Sequence, residues 1–358
     1  MVPLALLQLS CFFLLASSSA GGSAPDNDQH NRLMLDRFHR WMAFHGRSYP
    51  NDDEKLRRFE VYRHNVEYIE RTNRDGGLGY QLGENDFTDL TSEEFAARYI
   101  GGLIANNDSK VISEGYVADV GKNDPSKLKI PPPPKKVDWR KEHAVTPAKD
   151  QGKCGSCWAF AAVATVESAH YIANGKLLNL SEQEILDCDR NDQYGCEGGF
   201  PDRALQWIWD YDGIMTEDSY GPYVGEQQAC DLSRRAYNYL VTIESVWSIP
   251  ASEEALKLAV SRQPVAVTIE ANVNMQFYNN TSGIYTGPCA TLVNHAVVVV
   301  GYGRDAVSGV DYWIVKNSWG SKWGHNGFFL MRRGADGPRG LCGIVSTQGV
   351  YPLVSVIL

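Results

Sequence analysis

The spacing of hydrophobic positions changes along the chain. Between about residues 30 and 100 apolar side chains recur at steps of three and four, which predicts helices. Leu35, Phe38 and Met42 share one helical face, and Leu56, Phe59, Tyr62, Val66 and Ile69 share another. A further helix is predicted from Cys157, where Trp158, Ala162, Val166 and Ala169 form a stripe and Asn174-Gly175 supplies a stop. From about residue 245 the period falls to two. Val265, Val267 and Ile269 alternate, His295 to Val300 reads as a buried strand, and Tyr312–Val315 and Phe328–Leu330 read as strands. The pattern predicts an α+β protein, helical in its first part and β-rich in its second, with a cleft between them; substrate sites favour such interfaces. Residues 105 to 136 lack periodicity and end in Pro131 to Pro134. That run predicts an extended linker accessible to proteolysis.

The N-terminal apolar run, Pro3 to Ala16, is too short to span a bilayer. It precedes the small residues Ser17 to Ala24, and the two together read as a secretory signal cut near Ala20 or Ala24. No later run reaches membrane-spanning length, so a product free of the membrane is expected. The formal net charge of −9 argues against nucleic acid as a partner, since phosphate binding needs a basic face. Of eight cysteines, Cys11 lies in the expected signal and seven remain, at 154, 157, 188, 196, 230, 289 and 342. An odd count in a secreted chain implies an intermolecular bridge or one reactive thiol, and sequence alone leaves many pairings open.

Cys157 is the candidate nucleophile. It opens an apolar helix, whose N-terminus favours the thiolate, and Gln151 lies six residues upstream, where its amide can donate to a developing oxyanion. The thiol needs a base. His170 is on the same helix, roughly 20 Å along it at ~1.5 Å per residue, and cannot reach. His143 reads as a solvated loop residue and His325 as a turn residue. His295 opens a strand 138 residues after Cys157 (295 minus 157) and is the candidate base. Asn317 ends another strand and can orient the imidazole; Trp319 can shield that bond from water.

Two other chemistries fit part of this cysteine pattern. Cys154 and Cys157 form a CxxC, as in redox dithiols, and Cys154, Cys157, Cys188 and Cys196 offer four zinc ligands. Neither reading gives a task to Gln151, His295 or Asn317, and no compact βαβ unit surrounds the CxxC. A catalytically dead homologue used for binding or storage is disfavoured by the complete candidate set.

Longer motifs add a resemblance. Cys154-Gly-Ser-Cys157-Trp158 and Asn317-Ser-Trp319-Gly320 resemble those of the papain-like cysteine proteases. Glu54, Arg58, Tyr62, Asn65, Ile69 and Asn73 resemble the E-R-F-N-I-N propeptide pattern of that family, with Tyr62 for the usual Phe. Gly83, Asn85, Phe87 and Asp89 resemble its G-x-N-x-F-x-D element. The resemblance covers nearly the whole chain and is strongest to plant members. It implies a papain-like two-domain fold, a helical left domain and a β-barrel-like right domain, preceded by a helical inhibitory prodomain. Residues 1–24 are then a signal peptide, 25–132 the prodomain and 133–358 the peptidase, helical over about 145–245 and β-rich over about 246–358.

The resemblance further implies bridges Cys154–Cys196, Cys188–Cys230 and Cys289–Cys342, leaving Cys157 as the thiol. It places Gly198 and Gly199 in a strip that pairs with substrate backbone, and Phe200, Pro201, Thr268, Val293 and Thr347 around a P2 pocket, with Trp319 beside the site. The implied activity is that of a proenzyme cysteine endopeptidase, acid-activated, with no cofactor and no metal. Polypeptide substrates, its own prodomain and cystatin-type inhibitors are the implied partners of a monomer. The implied location is the extracellular space or a lytic vacuole or lysosome. Two departures stand out: the segment between Cys188 and Cys196 is one residue longer than in papain, and Asn294 replaces an aspartate before His295. Sequons occur at Asn107, Asn179, Asn279 and Asn280; Asn107, Asn179 and Asn280 are the candidate glycosylation sites, with one glycan expected at most for the adjacent pair Asn279 and Asn280.

Overall fold

A computed structural model describes residues 25–100, 131–190, 193–279, 283–334 and 337–354. The expected signal peptide, Asn107, Asn280 and most of the proline-terminated linker lie outside the described residues. Compact units divide between Ser48 and Tyr49. The first contains helix α1 (Pro25–His45), in which Met34, Phe38 and Trp41 are buried. Leu35, expected on that face, is instead exposed. One residue turns a helix by about 100°, and the buried stripe is centred one position away.

In the second unit, α2 (Asp52–Asp75) starts at Asn51, whose side chain caps Glu54 N, and α3 (Ser92–Tyr99) starts with a capping box between Thr91 and Glu94. The buried face of α2 is Arg58, Tyr62, Asn65, Val66 and Ile69; Leu56 is exposed. Polar groups take interior positions on this face because they are satisfied there. Arg58 donates to Glu54, Glu94 and the Asp89 carbonyl, and Asn65 Nδ2 donates to the carbonyls of Thr88 and Leu90 at 2.9 Å. The motif residues thus hold α2, the Gly83–Asp89 loop and α3 together.

After the linker come β1 (Val137–Asp138), α4 (Cys157–Asn174), α5 (Glu182–Cys188), α6 (Pro201–Asp210), β2 (Ile214–Met215), α7 (Glu217–Tyr220) and β3 (Leu240–Val241). The remainder holds β4 (Ser245–Ser248), α8 (Glu253–Val260), β5 (Val265–Ile269), α9 (Val273–Gln276), β6 (His295–Arg304), β7 (Asp311–Lys316), β8 (Phe328–Arg332) and β9 (Val350–Leu353). The strands β4, β9, β5, β6, β7 and β8 are neighbours in that order in an antiparallel sheet, with β1 also paired to β6. The helical and β-rich parts implied by the resemblance are both present.

Helix α4 ends as expected, with Gly175 at φ 72. It is not amphipathic, however: every residue from Cys157 to His170 is buried. The reason is the sheet. Val265, Val267 and Ile269 of β5, with Val297 and Val299 of β6, point into one core with Trp319 and Trp323. The alternate residues Ala266, Ala296, Val298 and Val300 point into another, shared with Trp158, Val163 and Val166 of α4. The alternation in β5 therefore separates two apolar cores rather than core from solvent. Helix α4 lies between the sheet and α6, with apolar neighbours on both sides.

Candidate active site

The antiparallel sheet brings His295 and Asn317 together. His295 opens β6 opposite Ile269, and Asn317 follows the last residue of β7, which runs the other way; Val298 pairs with Lys316. His295 is fully buried, and its Nε2 lies 2.8 Å from Asn317 Oδ1. A carbonyl oxygen only accepts, so Nε2 carries the hydrogen. Asn317 Oδ1 also accepts from Ser318 N at 2.8 Å, which fixes the amide. Trp319 stacks on the imidazole with centroids 4.7 Å apart and walls the bond off from water. The other ring nitrogen, Nδ1, is buried with no hydrogen-bond partner among the described residues. Burial pushes the His295 pKa down to about 4, against the Asn317 bond, which pulls it up.

Cys157 is buried at the first position of α4 and lies outside any disulfide. Its Sγ accepts from the N–H of Ala296, the residue after the candidate base, at 3.4 Å. The helix of one part and the strand of the other therefore meet at the thiol. The preceding loop is fixed by the Cys154–Cys196 bridge and by Gly155 N donating to Cys196 O at 2.8 Å. Cys188–Cys230 and Cys289–Cys342 are the other bridges, as the resemblance implied. With Cys154 bonded to Cys196 and Cys188 to Cys230, the zinc tetrad and the redox dithiol do not form.

Gln151 is fully buried. Its Oε1 accepts from Ser318 Oγ at 2.6 Å, which turns Nε2 outward. That Nε2 donates to the carbonyls of Cys154 at 2.9 Å and Tyr99 at 3.1 Å, and Trp319 Nε1 also donates to Tyr99 O, at 3.0 Å. The end of α3 therefore occupies the amide donor. Ser318 was not singled out from the sequence; its place inside the Asn317-Ser-Trp-Gly motif was the available signal.

Gly198 and Gly199, the residues of the expected substrate strip, follow Cys196 and Glu197, and Gly199 packs against the protein's own side chains. A Cβ on Gly199 would meet Gln193 Oε1 at 2.0 Å and Trp158 Cδ2 at 2.8 Å, so only glycine fits. Gln193, buried in the lengthened segment before Cys196, pairs its amide with Phe200 twice: Nε2 donates to Phe200 O at 2.9 Å, and Phe200 N donates to Oε1 at 2.8 Å. Sequence reasoning missed Gln193, because no spacing rule marks a loop glutamine that reaches seven residues along the chain. Pro201 is buried at the start of α6 and Phe200 is half-buried before it. Thr268, buried in β5, shares a 2.6 Å hydrogen bond with the exposed Thr347, and Val293 is half-buried two residues before His295. The sequon residue Asn179 is exposed and donates to Glu217.

A second polar group lies behind the site. Lys149 Nζ donates to Glu167 at 2.9 Å, to Glu182 at 2.7 Å and to Leu180 O at 3.0 Å, and Lys316 Nζ donates to Thr146 Oγ1 at 2.7 Å. Both carboxylates are buried.

The geometry joins a thiol at a helix N-terminus, an imidazole oriented by an amide, and a second amide poised as a donor. Residues 133–353 match the papain family cysteine protease model, and residues 38–95 match the cathepsin propeptide inhibitor domain (I29). The chain belongs to the papain family of cysteine proteases, as an endopeptidase carrying its own propeptide inhibitor domain. It is 41% identical to fruit bromelain of Ananas comosus over 93% of this chain and 90% of that one. It is 39% identical to papain of Carica papaya over 96% of this chain and 95% of that one. Among solved structures it resembles the proform of the ragweed pollen cysteine protease Amb a 11, at 35% identity and TM-score 0.80, covering 93% of this chain and 98% of that one. Among the described residues no helix is long and apolar enough to cross a membrane.

Proposed function

We propose that the protein cleaves peptide bonds through a thioester on Cys157, with His295 as acid and base. The carrying observation is the contact of Ala296 N with Cys157 Sγ, next to an imidazole held by Asn317. On this reading the Cys157 thiol passes its proton to His295 Nδ1, and the thiolate attacks the carbonyl carbon as the π electrons move to oxygen. The oxyanion is met by Gln151 Nε2 and Cys157 N–H. The amide nitrogen leaves with a proton from His295 Nδ1, and water, giving its proton back to that atom, then hydrolyses the thioester. Tyr99 O, now on Gln151 Nε2, must leave first, so the described form is the inhibited one.

Gly198 and Gly199 pair with substrate backbone, and Phe200, Pro201, Thr268, Val293 and Thr347 form an uncharged P2 pocket. Peptidase residues begin near Pro133. Activation follows acidification, and the location is the extracellular space or a lytic vacuole, reached by the N-terminal signal as a monomer open to cystatin-type inhibitors. The test is acidification of the recombinant proenzyme, followed by N-terminal sequencing and labelling with a thiol-alkylating epoxide. One labelled cysteine, Cys157, and a new N-terminus near Pro133 are expected; a label elsewhere refutes the site.

A further inference from the structure

Tyr223 follows Gly221-Pro222 after α7 and is half-buried. Its ring meets Phe160 of α4 edge-on, with centroids 4.9 Å apart. The backbone around it is tied down, since Val224 N donates to Gln183 Oε1 at 2.9 Å and Tyr223 N reaches Glu217 Oε1 at 3.4 Å. The hydroxyl donates to the carbonyl of Gln151 at 2.8 Å and lies 2.7 Å from Ser156 Oγ. A phenol has one proton. With that proton on the Gln151 carbonyl, the Tyr223 oxygen accepts from Ser156. Burial pushes the Tyr223 pKa up, so the hydroxyl stays protonated across the working range.

Ser156 stands at the N-cap of α4, where a serine normally caps the helix through its side chain. Here it makes no such bond. Its hydroxyl is committed to Tyr223 instead, with only a long 3.5 Å alternative to Cys154 O. The phenol thus touches the main chain of the residue that supplies one oxyanion donor and the side chain of the residue whose peptide supplies the other. We infer that Tyr223 is a positioning residue for the reaction, its hydroxyl holding the Gln151 amide and the Cys157 N–H at the spacing a tetrahedral oxyanion requires. This rests on the proposed roles of Gln151 and Cys157.

Tyr223→Phe keeps the ring against Phe160 and removes only the hydroxyl. After prodomain removal, the variant is expected to lose about tenfold in kcat, part of the roughly 10²–10³ expected for losing a donor outright, with KM unchanged. Alkylation of Cys157 by iodoacetamide forms no oxyanion and is expected to keep its rate. In a Gln151→Ala background the further loss from Tyr223→Phe is expected to shrink, because the two act on one group. Wild-type kcat in Tyr223→Phe, a loss that multiplies in full with Gln151→Ala, or equal falls in kcat and alkylation each overturns the inference. Should Tyr223→Phe not fold, Ser156→Ala removes the hydroxyl's other partner and is expected to show the same split; wild-type kcat there also overturns it. A Gln151→Ala enzyme with normal kcat would instead sink the oxyanion reading beneath it.

Discussion

Tyr99 O accepts from Gln151 Nε2 at 3.1 Å, so a main-chain carbonyl of the prodomain sits on the donor proposed for the substrate's oxyanion. Trp319 Nε1 grips the same oxygen, and the Tyr99 ring packs with Phe87 and Phe95 near Trp319. On that proposal, inhibition and catalysis compete for one amide. Gln151→Ala is expected to lower kcat roughly 10²–10³-fold and also to weaken inhibition by added prodomain. Steady-state kinetics with and without the prodomain segment check both; a change in KM alone would assign Gln151 to binding.

Cys157→Ala is expected to abolish peptidase activity and leave the proform folded. The other six cysteines of the peptidase part are bridged. Fluorogenic peptide hydrolysis and epoxide labelling check this; residual turnover well above background counts against the nucleophile.

Acid is expected to loosen the prodomain through Glu54 and Glu94. Hydrogen bonds from Arg57 and Arg58 hold Glu54 down at about 2. Burial pushes Glu94 up, but the Thr91 N–H and Arg58 outweigh it and leave its pKa lowered. Depressed carboxylates stabilise the folded state above their unfolded pKa of about 4.3. That stabilisation is lost as pH falls from there towards the folded values. Conversion should accelerate below about pH 5, and Arg58→Ala should move the onset upward. A conversion rate that is flat, or that rises with pH, contradicts the account.

No charge lines the proposed P2 pocket. Burying an unpaired guanidinium there would cost several kcal/mol, so Leu, Val or Phe at P2 should exceed Arg in kcat/KM. Thr347, hydrogen-bonded to Thr268 at 2.6 Å, is the position to change. Thr347→Glu should raise acceptance of Arg. A peptide library varied at P2 reads this directly, and a wild-type preference for Arg would displace the pocket.

Lys149→Met should destabilise the peptidase by about 3–5 kcal/mol, the usual cost of stranding a buried charge. Glu167 and Glu182 both lose their shared cation. Urea unfolding of the inactive Cys157→Ala form measures it, and a loss below about 1 kcal/mol, as at an exposed pair, would show that the carboxylates find other partners.

The positions of the candidate thiol, base and orienting amide were legible because each carries a local signal: a cysteine at a helix start, a histidine opening an apolar strand, an asparagine following another. The stop at Gly175 was legible for the same reason. What was not legible depends on distant partners. Leu56 belongs to the apolar stripe of α2, yet Arg58 takes the interior because Glu54, Glu94 and the Asp89 carbonyl await it. All-round burial of α4 could not be read from a stripe, since its second face is covered by strands more than a hundred residues on. Gln193, Ser318 and Tyr223 make side-chain hydrogen bonds to groups that no periodicity brings near.

Phe87, Leu90, Phe95 and Tyr99 share one apolar cluster with Phe277, Trp319 and Trp323, while Gln276 Nε2 donates to the carbonyls of Phe87 and Leu90 at 3.1 Å. Severing the chain near Pro133 leaves all of this buried surface in place. A molecule nicked there is therefore expected to stay silent, with the inhibitor still docked. Activity is then expected only when that piece escapes or is digested, and each liberated enzyme is expected to digest the pieces guarding others. The time course should show a lag and then a steep rise, and a trace of mature enzyme added at the start should erase the lag.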